Sequence, residues 1–123
     1  MLTHEKAQQL AREWIDSWNQ HDLERILSHY SEEIELTSPL VVKRLNDPSG
    51  TVRGKKALRA YFETGLRTYP DLRFEFLSLF VGVDSLVLHY KSVHQREGAE
   101  FMAINGEGLV EKVFAHYSGS NLP

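Results

Sequence analysis

The stretch WNQHDLERILSHYSEEIELTSP, residues 18–39, decides the fold, because the hydrophobic period changes inside it. Upstream, Ala7, Leu10, Ala11, Trp14 and Trp18 recur at steps of three and four, one apolar stripe on a helix over residues 4–19. Thr3 is placed to cap its first turn. Asp22 is placed to cap a second helix that buries Leu23, Ile26, Leu27 and Tyr30. From Ile34 the period is two: Ile34, Leu36 and Ser38 share one face of a strand, Glu33, Glu35 and Thr37 the other. Pro39 has no amide proton and ends regular pairing.

Working outward, residues 43–53 are polar and turn-rich and predict a loop or loose hairpin at a rim. A third helix follows Gly54 with the stripe Leu58, Tyr61, Phe62, Leu66 and Tyr69, and Tyr69-Pro70 stops it. Strands are predicted at about 72–81, 85–96, 99–105 and 108–117. Turn signals at Gly82-Val83-Asp84, Glu97-Gly98 and Asn105-Gly106 separate them. This order predicts an α+β fold: a cone-shaped barrel with three helices from the N-terminal half packed on a strongly curved mixed or antiparallel sheet, enclosing a pocket. Residues 1–123 form a single domain in this reading.

The composition is 41% hydrophobic and 25% charged, ordinary for a globular chain, and the net charge of -3 argues against nucleic acid as a partner. No apolar run is long enough for a membrane span, and the N-terminus has no signal-peptide core. With no cysteine, disulfides and thiolate chemistry are excluded, and a cytoplasmic location is expected. The six histidines are scattered without ligand spacing, so no metal site is expected.

The strand 85–96 carries apolar residues on both faces: Val87, His89, Lys91 and Val93 on one, Leu86, Leu88, Tyr90, Ser92 and His94 on the other. Such a strand is covered on both sides. Helices cover one face, so a homodimer through the outer sheet face is expected.

The run quoted at the outset, with RGKKALRAYF (residues 53–62) and NGEGLVEKVFAHY (residues 105–117), resembles SnoaL-like domains of the nuclear transport factor 2-like superfamily. Members of that superfamily include ketosteroid isomerases, polyketide cyclases, dehydratases and non-catalytic binding domains, so the fold alone does not name an activity. Against the ketosteroid isomerases, the resemblance puts Ser38 where the general base stands, Trp14 where the oxyanion-donating tyrosine stands, and Glu100 near the protonated acid. Serine cannot take a carbon acid's proton unaided and an indole only donates, which argues against that mechanism.

The resemblance also implies that His89 and Lys91 face the cavity beside Glu100. His89 would then be the acid or base, with Glu100 and Lys91 setting its protonation or stabilising an enolate. Hydrophobic counting favours the opposite register, with Leu86, Leu88 and Tyr90 inward and Lys91 in solvent. Trp14, Trp18, Tyr30, Ser38, Tyr61, Met102 and Tyr117 would line the wall for a small hydrophobic ligand. Proton movement alone implies no cofactor. A non-catalytic ligand-binding module and a dimeric interaction module remain the alternatives.

Overall fold

The computed structural model describes residues 1–119. The first helix, α1 (His4–Asn19), is capped by Thr3, whose side chain accepts from the Lys6 amide, and it buries Ala7, Ala11, Trp14, Ser17 and Trp18. Asp22 caps the short α2 (Leu23–Leu27) in the same way, accepting from the Arg25 amide. Tyr30 begins β1 (Tyr30–Thr37) instead of closing the second helix.

The stretch predicted as a rim loop is partly helical. Ser38 accepts from the Leu40 amide, Pro39 occupies the first turn, and α3 runs Pro39–Leu45. Proline's fixed φ and missing N–H suit a first helical turn, so Pro39 stops the strand and starts a helix at once. Asn46, in the left-handed region at φ 52°, closes it. The short β2 (Thr51–Arg53) then pairs antiparallel with β1. The helix predicted after Gly54 is α4 (Lys55–Thr68), which buries Leu58 and Phe62.

Four further strands complete the sheet: β3 (Glu75–Val81), β4 (Ser85–Lys91), β5 (Glu97–Ile104) and β6 (Val110–Tyr117). Their order is β2-β1-β6-β5-β4-β3. The β1–β6 pair is parallel and the other pairs are antiparallel. The strand predicted to run to residue 96 stops at Lys91; a tight turn at Val93–Gln95 follows, with His94 and Gln95 at positive φ. The expected turn at Glu97-Gly98 is instead the beginning of β5.

The α+β arrangement read from the sequence is present, with α3 as a fourth helix. Helices and the inner face of the sheet share one core, from Ala7 on α1 to Val113 on β6. Among the described residues no helix is long and apolar enough to cross a membrane.

The end of α1 is tied to the chain ahead of β3. Asn19 donates from Nδ2 to the Phe74 carbonyl at 2.9 Å and accepts the Phe74 amide at 2.7 Å. One side chain thus satisfies both backbone groups of a buried residue. Replacing it leaves both unpaired, a loss of about 1–3 kcal/mol. Asn19→Ala should lower stability by that amount in urea unfolding; a change below about 0.5 kcal/mol, the level of a neutral surface substitution, would show that the clamp holds nothing.

Candidate active site

Between the helices and the inner sheet face lies a cavity of about 100 Å³. That is the scale of an engineered apolar cavity that accepts benzene, about 150 Å³. Trp14 and Trp18 enter from α1, Tyr61 and Phe62 from α4, Phe74 from ahead of β3, and Tyr90, Glu100 and Tyr117 from the sheet. The rings form one stack of contacts. Trp14 lies 5.5 Å from Phe74 and 5.2 Å from Tyr90, and Trp18 meets Phe62 edge-on at 4.8 Å. Trp14 Nε1 donates to Tyr30 Oη at 2.8 Å, which fixes both rings. Buried Tyr30, Tyr90, Trp14, Ser38 and Glu100 mark the closed end. Half-buried Arg44, Tyr69, Val93 and Arg96 mark the side open to solvent.

Among the described residues Glu100 is the one carboxyl in this wall, and it is 5% exposed. Tyr90 Oη donates to its Oε2 at 2.8 Å. Burial pushes its pKa up to about 7, and the Tyr90 bond works in the other direction. The surrounding phenols stay protonated: burial, with the Glu100 charge second, raises Tyr30, Tyr90 and Tyr117. Burial also pushes Tyr61 up to about 12, although Arg44 and Ser38 pull it down. Near neutral pH the closed end therefore holds one carboxyl poised between its two forms and several phenolic donors.

Gly98 makes the Tyr90–Glu100 bond possible. It stands directly opposite Tyr90 across the β4–β5 ladder. A Cβ there would lie 2.8 Å from Tyr90 Cζ and 2.9 Å from its hydroxyl, so only glycine lets the ring lie down across β5 toward Glu100.

The SnoaL-like domain profile matches residues 11–117. The chain belongs to the SnoaL-like family. A SnoaL-like protein of unknown function from Burkholderia thailandensis is 44% identical over 95% of this chain and 98% of its own, with a TM-score of 0.93. A SnoaL-like protein from Agrobacterium tumefaciens, provisionally assigned as an isomerase, shares 17% identity over 94% of this chain and 99% of its own, with a TM-score of 0.75. A protein of cystatin-like fold from Methylobium petroleophilum shares 16% over 98% and 81% of the two chains, at a TM-score of 0.79. Among curated proteins, none matches.

Within this SnoaL-like cavity the structure gathers Trp14, Trp18, Tyr30, Ser38, Tyr61, Glu100 and Tyr117, all named from the sequence. Met102 is buried on the same face as Glu100, but it lies opposite Leu86 and Val113 in the core and does not line the cavity. His89 and Lys91 are corrections. Opposed residues on paired strands share a face, and Glu100 opposes Leu88 while Tyr90 opposes Gly98. His89 and Lys91 therefore point outward, where His89 bonds Glu97 at 2.6 Å and Ser78 at 3.1 Å. The inner positions go to Leu86, Leu88 and Tyr90, as hydrophobic counting favours. The sequence reading missed Phe74, Tyr90, Arg44 and Arg96; the pair Ser38-Pro39, read as a helix start, would have found Arg44.

A carboxyl whose pKa is higher folded than unfolded binds protons more tightly in the folded chain. Its contribution to stability falls as pH rises from about 4.5, its ordinary value, through about 7, and is flat above that. For a group this buried the loss is on the order of 3 kcal/mol. His29, lowered chiefly by burial, acts in the opposite sense over part of this window. Measuring wild type against Glu100→Gln cancels His29. The wild type should lose stability relative to the variant by about 1–3 kcal/mol between pH 5 and 9; a difference independent of pH would place Glu100 at an ordinary pKa.

Proposed function

We propose that this SnoaL-like protein binds a small, largely apolar organic molecule and moves a proton on it with Glu100, without a cofactor. The reading is carried by one observation: a buried carboxyl, bonded by Tyr90, at the closed end of an aromatic cavity. An acid with a pKa near the working pH both takes and returns protons efficiently. Ionised Glu100 would accept a proton from an acidic C–H or O–H, and the same carboxyl would return it at a neighbouring atom. The Tyr90 hydroxyl is committed to Glu100, so the phenol of Tyr117 would donate to the oxygen on which negative charge develops. Isomerisation, cyclisation, dehydration and hydration fit this apparatus.

Ser38 supports no part as a base. Its side chain accepts the Leu40 amide at 3.1 Å, and its side-chain neighbours Tyr61 and Tyr117 are protonated phenols that cannot activate it as a nucleophile or base. This same observation favours the second reading, in which the cavity binds a ligand without turning it over. The two readings separate on a panel of small cyclic enones and β-hydroxy ketones. Under the first, Glu100→Gln lowers kcat by about 100-fold or more while the ligand's Kd moves little, and the wild-type rate shows a limb near pH 7. Turnover that survives Glu100→Gln removes Glu100 from the chemistry.

The outer face of the sheet supports a homodimer. Phe80 opposes Val87, Val87 opposes Phe101, and Phe101 opposes Phe114, so one apolar row crosses four strands. Phe80 is 63% exposed and Phe114 38%. A second copy laid on this row would bury it by two-fold pairing of like with like. Light scattering should return twice the 14.2 kDa chain mass, and Phe80→Glu with Phe114→Glu should return one. A wild-type monomer at micromolar concentration ends this assignment. A cytoplasmic place of work fits a chain without cysteine.

A further inference from the structure

The cavity is chemically two-ended. Glu100 occupies the closed end, and two guanidiniums stand at the mouth. Arg44, from α3, donates to Tyr69 Oη at 2.7 Å and lies 5.0 Å from the centre of that ring. His94 meets the same ring edge-on at 6.0 Å, so α3 and the turn after β4 close on one tyrosine. Arg96, just after that turn, donates from Nη1 to the Ser118 carbonyl. Among the described residues neither arginine forms an ion pair with a carboxylate.

Among the described residues two donors in this wall have no partner. Arg96 Nε is buried without an acceptor, and so is Nε1 of Trp18, a residue only 7% exposed. A buried N–H left unpaired costs about 1–3 kcal/mol, and native proteins rarely carry one without a reason. Both line the same cavity, and both ask for an acceptor oxygen. Glu100, the only carboxyl among the described residues that line the cavity, draws its shift from burial and Tyr90, with neither arginine among the causes. Tyr61 stands between the two ends, where the Arg44 charge lowers its pKa and the Glu100 charge raises it.

We propose that the cavity takes a small monocyclic organic carboxylate, its ring against Trp14, Phe74 and Tyr90 and its carboxylate on Arg44 and Arg96 at the mouth. This rests on the ligand-site reading above and specifies the class of ligand. Planar guanidinium forks match a planar carboxylate, and each bond gains from the charge. The cavity volume limits the buried part to about one ring, with the carboxylate outside in the half-buried mouth. A second oxygen on the ring would satisfy Trp18.

Phenylacetate and phenylacetamide are near-isosteres that differ in charge. The chain has two tryptophans, Trp14 and Trp18, and both line the cavity, so their fluorescence reports occupancy. At low ionic strength phenylacetate should bind at least about tenfold more tightly than phenylacetamide, and added salt should shrink that ratio. Arg96→Gln and Arg44→Gln should each remove most of the preference, weakening phenylacetate binding by more than phenylacetamide binding. Equal binding of the two probes overturns the carboxylate assignment and leaves the ligand site standing. A preference that survives both substitutions overturns the role of the arginines. If neither probe binds at millimolar concentration, the ligand-site reading itself falls and takes this one with it. The wild-type comparison needs no variant, so a misfolded substitution cannot mask the result.

Discussion

The pairing of Tyr90 with Gly98 is the constraint on which the rest of the site depends. It sets the register of β4 on β5, and that register distributes every side chain of the two strands between core and surface. Leu88 opposite Glu100 follows from it, as does Leu86 opposite Met102. So does the outward row through Val87 and Phe101. A slip of one residue would bring His89 and Lys91 into an aromatic core and put three large apolar side chains in water. The glycine then adds a local effect: without a Cβ, it lets the tyrosine lie flat and aim its hydroxyl at the carboxyl two residues along.

Keeping an acid in such a place costs stability once it ionises, and among the described residues of the cavity wall none offsets this by an ion pair. A structural role alone would be met better by glutamine or an apolar residue. The cost is intelligible if the carboxyl's ability to change charge near neutrality is itself the property the site uses. The aromatic lining contributes in a complementary way. Its faces exclude water and raise the acid, and its few hydroxyls and indole nitrogens set where an oxygen can sit.

Much of this was legible in the sequence, for particular reasons. The stripe Trp14–Trp18 on α1 is both core pattern and cavity wall, so periodicity alone placed it. Glu100 came from a family resemblance, since an acid beside a turn is usually solvated. The register of β4 was not legible from periodicity because both its faces carry apolar residues. The inner set fills the core, while the outer set forms the row Phe80–Val87–Phe101–Phe114. The two arginines were hidden by turn chemistry. Arg44 sits on a helix that begins at a proline which also ends a strand. Arg96 follows a reversal made by His94 and Gln95 in left-handed conformations, without the glycine or proline that ordinarily marks a turn.

The parallel pair of β1 with β6 has a consequence for how the protein is made. Of the six strands, β6 leaves the ribosome last, yet it lies between β1 and β5. Until it emerges, the hairpin of β1 with β2 and the meander of β3, β4 and β5 are two separate pieces, each with an unpaired edge. The nascent chain must hold both, with Tyr30, Tyr90 and Glu100 still exposed, until one final insertion joins them. Such distant contacts slow folding and leave edges open to wrong partners. The cavity is therefore completed in a single late step, and a newly synthesised chain has no partial version of it.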